Sequence, residues 1–219
     1  QAGSQAEAVK RCGDAEALQS EHGLDFPPLY ALWRCQYYDL LLADAERAAW
    51  QCVLQCPSKP NLSPALESCR TVSIRATQEL QRLIEAVSAV WLLTVGLKHL
   101  TVGNASLYEA ILRGETLDPC RLPIQEAVTI LRRAGDLTHF PRGLLTRAWL
   151  RFLTGARTGP ESAQEDLDEA WEIAERGPMK LFLADIHLHR ARLFFREKPY
   201  PWQSPQHNLS EARKLIEKC

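Results

Sequence analysis

A chain of 219 residues with 26 lysines and arginines against 27 aspartates and glutamates has a formal net charge of −1. That balance excludes the basic excess of a dedicated binder of nucleic acid or of an anionic membrane surface. Hydrophobic residues at 46% and charged residues at 24% are ordinary globular values, and the length suffices to bury a substantial core as one large domain or two small ones.

The N-terminal stretch has neither an initiator Met nor a signal-peptide pattern, so the chain is expected to be cut from something longer. Residues 5–12 look like the tail of a preceding helix. Residues 29–43 read as a long amphipathic helix and 45–56 as its partner. Pro57, Pro60 and Pro64 then break the chain before helical character returns over 72–87. The longest apolar run, 86–97, is bounded by Glu85 and Lys98. It falls well short of the roughly 20 residues a membrane span needs, so this is a buried helix and no membrane partner is expected. Pro141 starts a helix over 141–154, since the first helical N–H needs no partner. Residues 155–160 form a turn, and Glu161, Glu165, Asp166 and Asp168 favour the positive start of the next helix. Arg176-Gly177-Pro178 ends it, and the proline-rich connector 199–205 precedes the last helix. No β-alternation of any length is present.

The seven cysteines are odd in number and form no C-x-x-C pair. They read as reduced, mostly buried small hydrophobes in the reducing interior of a cell. Cys52 and Cys56 stand one helical turn apart, which leaves a two-thiol redox or metal site open, but no His or Cys lies at zinc-site spacing nearby.

Three segments share one frame: Ile124-Gln-Glu-Ala-Val-Thr-Ile-Leu-Arg-Arg133, Asp166-Leu-Asp-Glu-Ala-Trp-Glu-Ile-Ala-Glu-Arg176 and Asn208-Leu-Ser-Glu-Ala-Arg-Lys-Leu-Ile-Glu-Lys218. Their alanines, Ala127, Ala170 and Ala212, recur with a period of about 42–43 residues. A second series, Ala105, Ala148 and Ala191, interleaves with the first at a period of about 43 residues. Two alanine series of nearly equal period predict a two-helix unit repeated three times. Helices that pack at about 8–10 Å need a small side chain at the closest crossing, and each unit buries its apolar face against its neighbours. The expected fold is therefore all-α, a solenoid of helical hairpins with repeats of about 42–43 residues. Residues 1–88 would be irregular hairpins and 89–219 three regular pairs.

At Gly155 and Ala163-Gln-Glu-Asp-Leu-Asp-Glu-Ala170 the chain resembles the second half of a tetratricopeptide (TPR) unit, in which small residues seven apart bracket a large apolar one after a turn glycine. The units here exceed the usual TPR length of about 34 residues and lack the aromatic signature of the first helix. A more specific likeness is to TPR arrays C-terminal to nucleotide-binding modules in bacterial STAND-class signalling NTPases. It is carried by Leu100-Thr-Val-Gly103, by Pro141-Arg-Gly-Leu-Leu-Thr-Arg-Ala148 and by the stretch from Asp166 to Leu193. The resemblance implies a sensor or partner-docking segment of a cytoplasmic signalling or defence protein. In a TPR array the first helix of each pair lines the concave face. The alanine register then makes His99, Arg142 and Asp185 equivalent groove positions, with Ser106, Trp149 and Arg192 as a second set. Arg and Trp suit recognition of a protein or peptide; the alternative for Trp149 is packing against the neighbouring helix.

No G-x-x-x-x-G-K-[ST], G-x-G-x-x-G, G-x-S-x-G or H-E-x-x-H motif occurs, and no catalytic residue, metal site or cofactor is expected. The carboxylates of 161–175 spread around a helix as a solvated face. His187 and His189 are turned about 200° apart and cannot share a metal. Asp185, His187 and Arg190 are candidates for a structural polar network. An interaction scaffold is the leading reading. A regulatory domain holding a small molecule or nucleotide in its concave groove is the alternative, and self-association stays open.

Overall fold

The computed structural model describes residues 4–21, 27–56, 62–85 and 92–218. Among them are nine helices and no strand, as an all-α fold requires. The helices are α1 (Gln5–Glu21), α2 (Pro27–Val53), α3 (Leu62–Glu85), α4 (Leu92–Arg113), α5 (Asp118–Ala134), α6 (Phe140–Leu153), α7 (Ala163–Arg176), α8 (Lys180–Phe194) and α9 (Pro205–Ile216). The chain divides into two compact units, Gln1–Pro119 and Cys120–Cys219. This division follows compactness. The boundary at 88/89 marks something different, the place where regular alanine spacing begins.

In the first unit α1 lies on α2, while α2, α3 and α4 each pack against the other two. Three sequence expectations are corrected here. The hairpin expected from 29–43 and 45–56 is one uninterrupted helix, Pro27–Val53. Its would-be turn, Ala43-Asp-Ala-Glu-Arg-Ala-Ala49, contains no Gly or Pro and is rich in the strongest helix former, so nothing stops propagation. The N-terminal stub is likewise not confined to 5–12 but is part of a 17-residue helix. Helix α3 begins at Leu62, ahead of the expected 72, because Pro64 falls in its first turn where the missing N–H costs no hydrogen bond. Half of the apolar run 86–97 lies outside the described residues; Leu92–Leu97 opens α4.

In the second unit α6 packs on α7, α7 on α8, α8 on α9, and α8 also on α6. The punctuation is local and chemical. Ser162 caps α7 by accepting from the Glu165 N–H at 3.2 Å, and Glu165 Oε2 reaches back to the Glu161 N–H at 2.6 Å, a variant of the capping box. Ser204 caps α9 in the same way, accepting from the His207 N–H at 3.0 Å. Helix α6 stops at Gly155, whose φ of 94° is left-handed. The Ala156 N–H then donates to the Arg151 carbonyl at 2.9 Å and the Gly155 N–H to that of Phe152 at 3.2 Å, the paired bonds of a Schellman ending.

All six register alanines are buried: Ala105, Ala127, Ala148 and Ala170 at 0% exposure, Ala212 at 1% and Ala191 at 3%. Burial is what a close-crossing position requires. Helices α5 and α6 also approach closely at a different small residue, Gly143. A Cβ on Gly143 would stand 3.2 Å from Leu131 Cδ1 and 3.3 Å from Val128 Cγ2. Around these points Leu144, Leu167, Ile186 and Phe194 are fully buried, each side chain contributing about 1.5–3 kcal/mol. Phe152 on α6 meets Phe194 on α8 edge-on, with centroids 4.9 Å apart.

Candidate partner-binding face

Helix α8 carries apolar residues on its buried and its exposed sides. Inward lie Ala184, Ile186, Ala191, Leu193 and Phe194. Outward lies a stripe at steps of four and three: Leu181, Asp185, Leu188, Arg192 and, continuing the helical backbone by one residue, Phe195. Leu181 is 62% and Phe195 43% exposed, Asp185 is exposed, and Leu188 and Arg192 are half-buried. The Arg196 guanidinium covers the Phe195 ring at 4.8 Å. The stripe therefore joins apolar surface to one negative and one positive head group on a single helix face.

Two of the six groove residues, Asp185 and Arg192, belong to this stripe. Arg142 is half-buried near the start of α6. Trp149 is only 2% exposed, and its indole meets the His189 ring edge-on at 6.3 Å. Of its two readings, packing between α6 and α8 is the one that describes it. His99 and Ser106 are half-buried on α4, in the first unit.

The inner side of α8 is fixed by polar side chains from α7, α9 and the connector. Asp168 Oδ1 accepts from Arg190 Nη2 and from Trp202 Nε1, each at 2.8 Å. The Arg190 guanidinium lies 4.8 Å from the Trp171 ring centre and 4.7 Å from that of Trp202, so a 7%-exposed cation is held between two indoles. His187 Nδ1–H donates to Asn208 Oδ1 at 2.6 Å, and Asn208 Nδ2 donates to the Tyr200 hydroxyl at 2.6 Å. Burial lowers the His187 pKa against that hydrogen bond. Burial also takes His189 down to about 4, although its Nδ1–H donates to the Asp185 carbonyl. The expected network of Asp185, His187 and Arg190 is thus built differently: Arg190 takes its carboxylate from Asp168, and His187 pairs with Asn208.

Between α6 and α7 a second carboxylate is entirely enclosed. Asp166, at 0% exposure, accepts from Arg147 Nη2 at 2.6 Å, from Arg147 Nε at 3.1 Å and from Arg151 Nη1 at 2.9 Å. The sequence places Asp166 in the first turn of α7 but gives no sign of these arginines, which lie 19 and 15 residues upstream on another helix.

Among the described residues no three His, Cys, Asp or Glu side chains come together as a metal site, and no helix is long and apolar enough to cross a membrane. Cys52 and Cys56 are exposed thiols at the end of α2, whereas Cys35, Cys69 and Cys120 are buried. Burial pushes the Cys69 thiol up to about 12. No protein-family model matches the chain, no curated protein matches it, and no solved structure matches it.

Proposed function

We propose that the chain is a TPR-like helical-repeat scaffold that docks a protein or peptide partner along the outer stripe of α8. One observation carries the reading. A helix whose inner side is already covered keeps Leu181, Leu188 and Phe195 in line on its outer side, with Asp185 and Arg192 between them. Aligned apolar anchors flanked by charges are how one helix recognises another segment. The two alanine series, all buried, support the repeat architecture, and the resemblance to arrays of STAND-class proteins suggests a sensor or partner-docking segment in the cytoplasm of a bacterium. The chain acts by binding, not by catalysis.

The test is capture and identification of a partner by the purified chain, followed by titration against the Leu181→Asp/Phe195→Asp variant. Both positions are exposed, so the variant should melt near the wild-type temperature while losing at least roughly tenfold in affinity, as expected when anchor residues are lost. Unchanged affinity would remove α8 from the binding face.

A further inference from the structure

A cleft of about 440 Å³ opens in the first unit between α1, α2 and α3. Its polar lining is Glu16 from α1, Arg34 from α2, and Arg75, Gln78, Glu79 and Arg82 from α3. The four α3 residues follow the i, i+3, i+4, i+7 spacing of one helix face, so the sequence aims them at one place. Gly13 adds no side chain to the wall.

Among the described residues that line the cleft the charges are not matched. Glu79 is saturated from behind: it accepts from Lys98, Arg34 and the Tyr38 hydroxyl, the last at 2.8 Å. Burial pushes its carboxyl up, but Lys98 and Arg34 outweigh burial and hold it below the usual carboxylate range. It therefore stays ionised, consuming one of two neighbouring cations. Glu16 lies across the cleft at 3.4 Å from Arg34 and 3.6 Å from Arg75; the Arg75 contact is longer than a hydrogen bond. Arg82 is exposed and has no ion pair or hydrogen bond among the described residues. Among the described residues four cations thus face two carboxylates in and behind one cleft. Among the described residues the guanidinium of Arg82 is unpaired and that of Arg75 loosely paired, about two helical turns apart with the Gln78 amide between them.

We infer that this cleft binds a phosphoryl oxyanion carrying at least two negative charges, held by Arg75 and Arg82. Planar guanidinium groups take phosphate oxygens in pairs, and a pocket of this size accommodates a phosphorylated small molecule. Glu16 is the competitor: the ligand displaces its carboxylate from Arg34 and Arg75. The site goes beyond partner docking on α8, lies in the other unit, and stands or falls separately.

Isothermal titration of inorganic pyrophosphate into the full chain at low salt provides the test. Saturable binding at one site is expected. Arg75→Gln and Arg82→Gln should each weaken it by roughly tenfold, the cost of one charge-assisted contact. Glu16→Gln should tighten it by roughly two- to fivefold, because a partly exposed rival ion pair is removed. That gain has no counterpart if these residues only hold the helices together, and circular dichroism confirms that each variant is folded. Separate titrations with ATP and with a phosphoserine peptide tell which carrier presents the oxyanion better. The inference is overturned by any of three results: pyrophosphate fails to bind both wild type and Glu16→Gln, the Arg75→Gln/Arg82→Gln double variant binds as well as wild type, or Glu16→Gln binds more weakly.

Discussion

Replacing Asp166 by Asn keeps the volume of the side chain and removes its charge, which makes it a clean probe of how α6 and α7 are joined. The wild-type carboxylate is fully enclosed and takes Arg147 and Arg151, whose side chains are 12% and 19% exposed. Arg147 Nη2 and Arg151 Nη1 both donate to Oδ1, so an amide oxygen there still accepts from both, but its N–H₂ takes the place of Oδ2 against Arg147 Nε and two cations lose their counter-ion. Breaking a buried pair costs about 3–5 kcal/mol when the remaining charge is wholly desolvated. Here burial raises the Asp166 pKa in spite of Arg147 and Arg151, and both arginines keep some contact with water, which together bring the loss to about 2–3 kcal/mol. The same residue lies in the first turn of α7, where a negative charge is worth about 0.5 kcal/mol more against the helix dipole. The total of about 3 kcal/mol is a large share of the roughly 5–15 kcal/mol available to a domain. Urea unfolding followed by circular dichroism measures it, and hydrogen exchange locates it: amides of α6 and α7 should lose protection before those of α2 and α3. A change below about 0.5 kcal/mol, the range of an indifferent surface substitution, would refute the assignment of Asp166 as the α6–α7 tie. So would a loss of protection confined to the first unit.

Acid should weaken the second unit through His189. Its folded-state pKa of about 4 lies below the ordinary 6.5, so its contribution is complete above pH 6.5 and is lost as pH falls from 6.5 toward 4. The loss reaches about 3 kcal/mol, and His189→Gln should flatten that part of a stability-versus-pH curve. At the α5–α6 crossing, Gly143→Ala should be close to neutral, because a helix-propensity gain of about 1 kcal/mol is set against small displacements of Leu131 and Val128. Gly143→Leu has no such room and should cost more than about 2 kcal/mol in thermal melts.

The features visible in the sequence are those set within a turn or two of chain. Pro141 as a helix start, Gly155 as a stop, and the alanines as buried positions follow from local chemistry and period. The continuity of α2 has an equally local cause: the apolar pattern pauses at Asp44, which suggests a turn, but without a breaker the helix runs on. The polar ties are another matter. Asp168 with Arg190 and Trp202, His187 with Asn208, and Asp166 with Arg147 and Arg151 connect residues 15 to 34 positions apart, and nothing in a linear pattern says which of several acids an arginine will reach. The same holds for the cleft of Glu16, Arg34 and Arg82. Of the groove residues, Asp185 and Arg192 share an outer face because seven positions bring a helix almost to the same azimuth. Trp149 obeys the same spacing and is nevertheless interior, because α8 lies over it.

Asp166 and Asp168 are two positions apart, so α7 points one acid back to its predecessor and the other forward to its successor. A single helix thereby acts as a rivet between its two neighbours, gripping them by charge on both flanks. A backbone cut in the exposed turn at 156–161 would sever the covalent link yet leave the guanidinium groups of α6 facing their carboxylate, so the two pieces retain the means of finding each other again. That turn is the natural place for inserting a reporter domain.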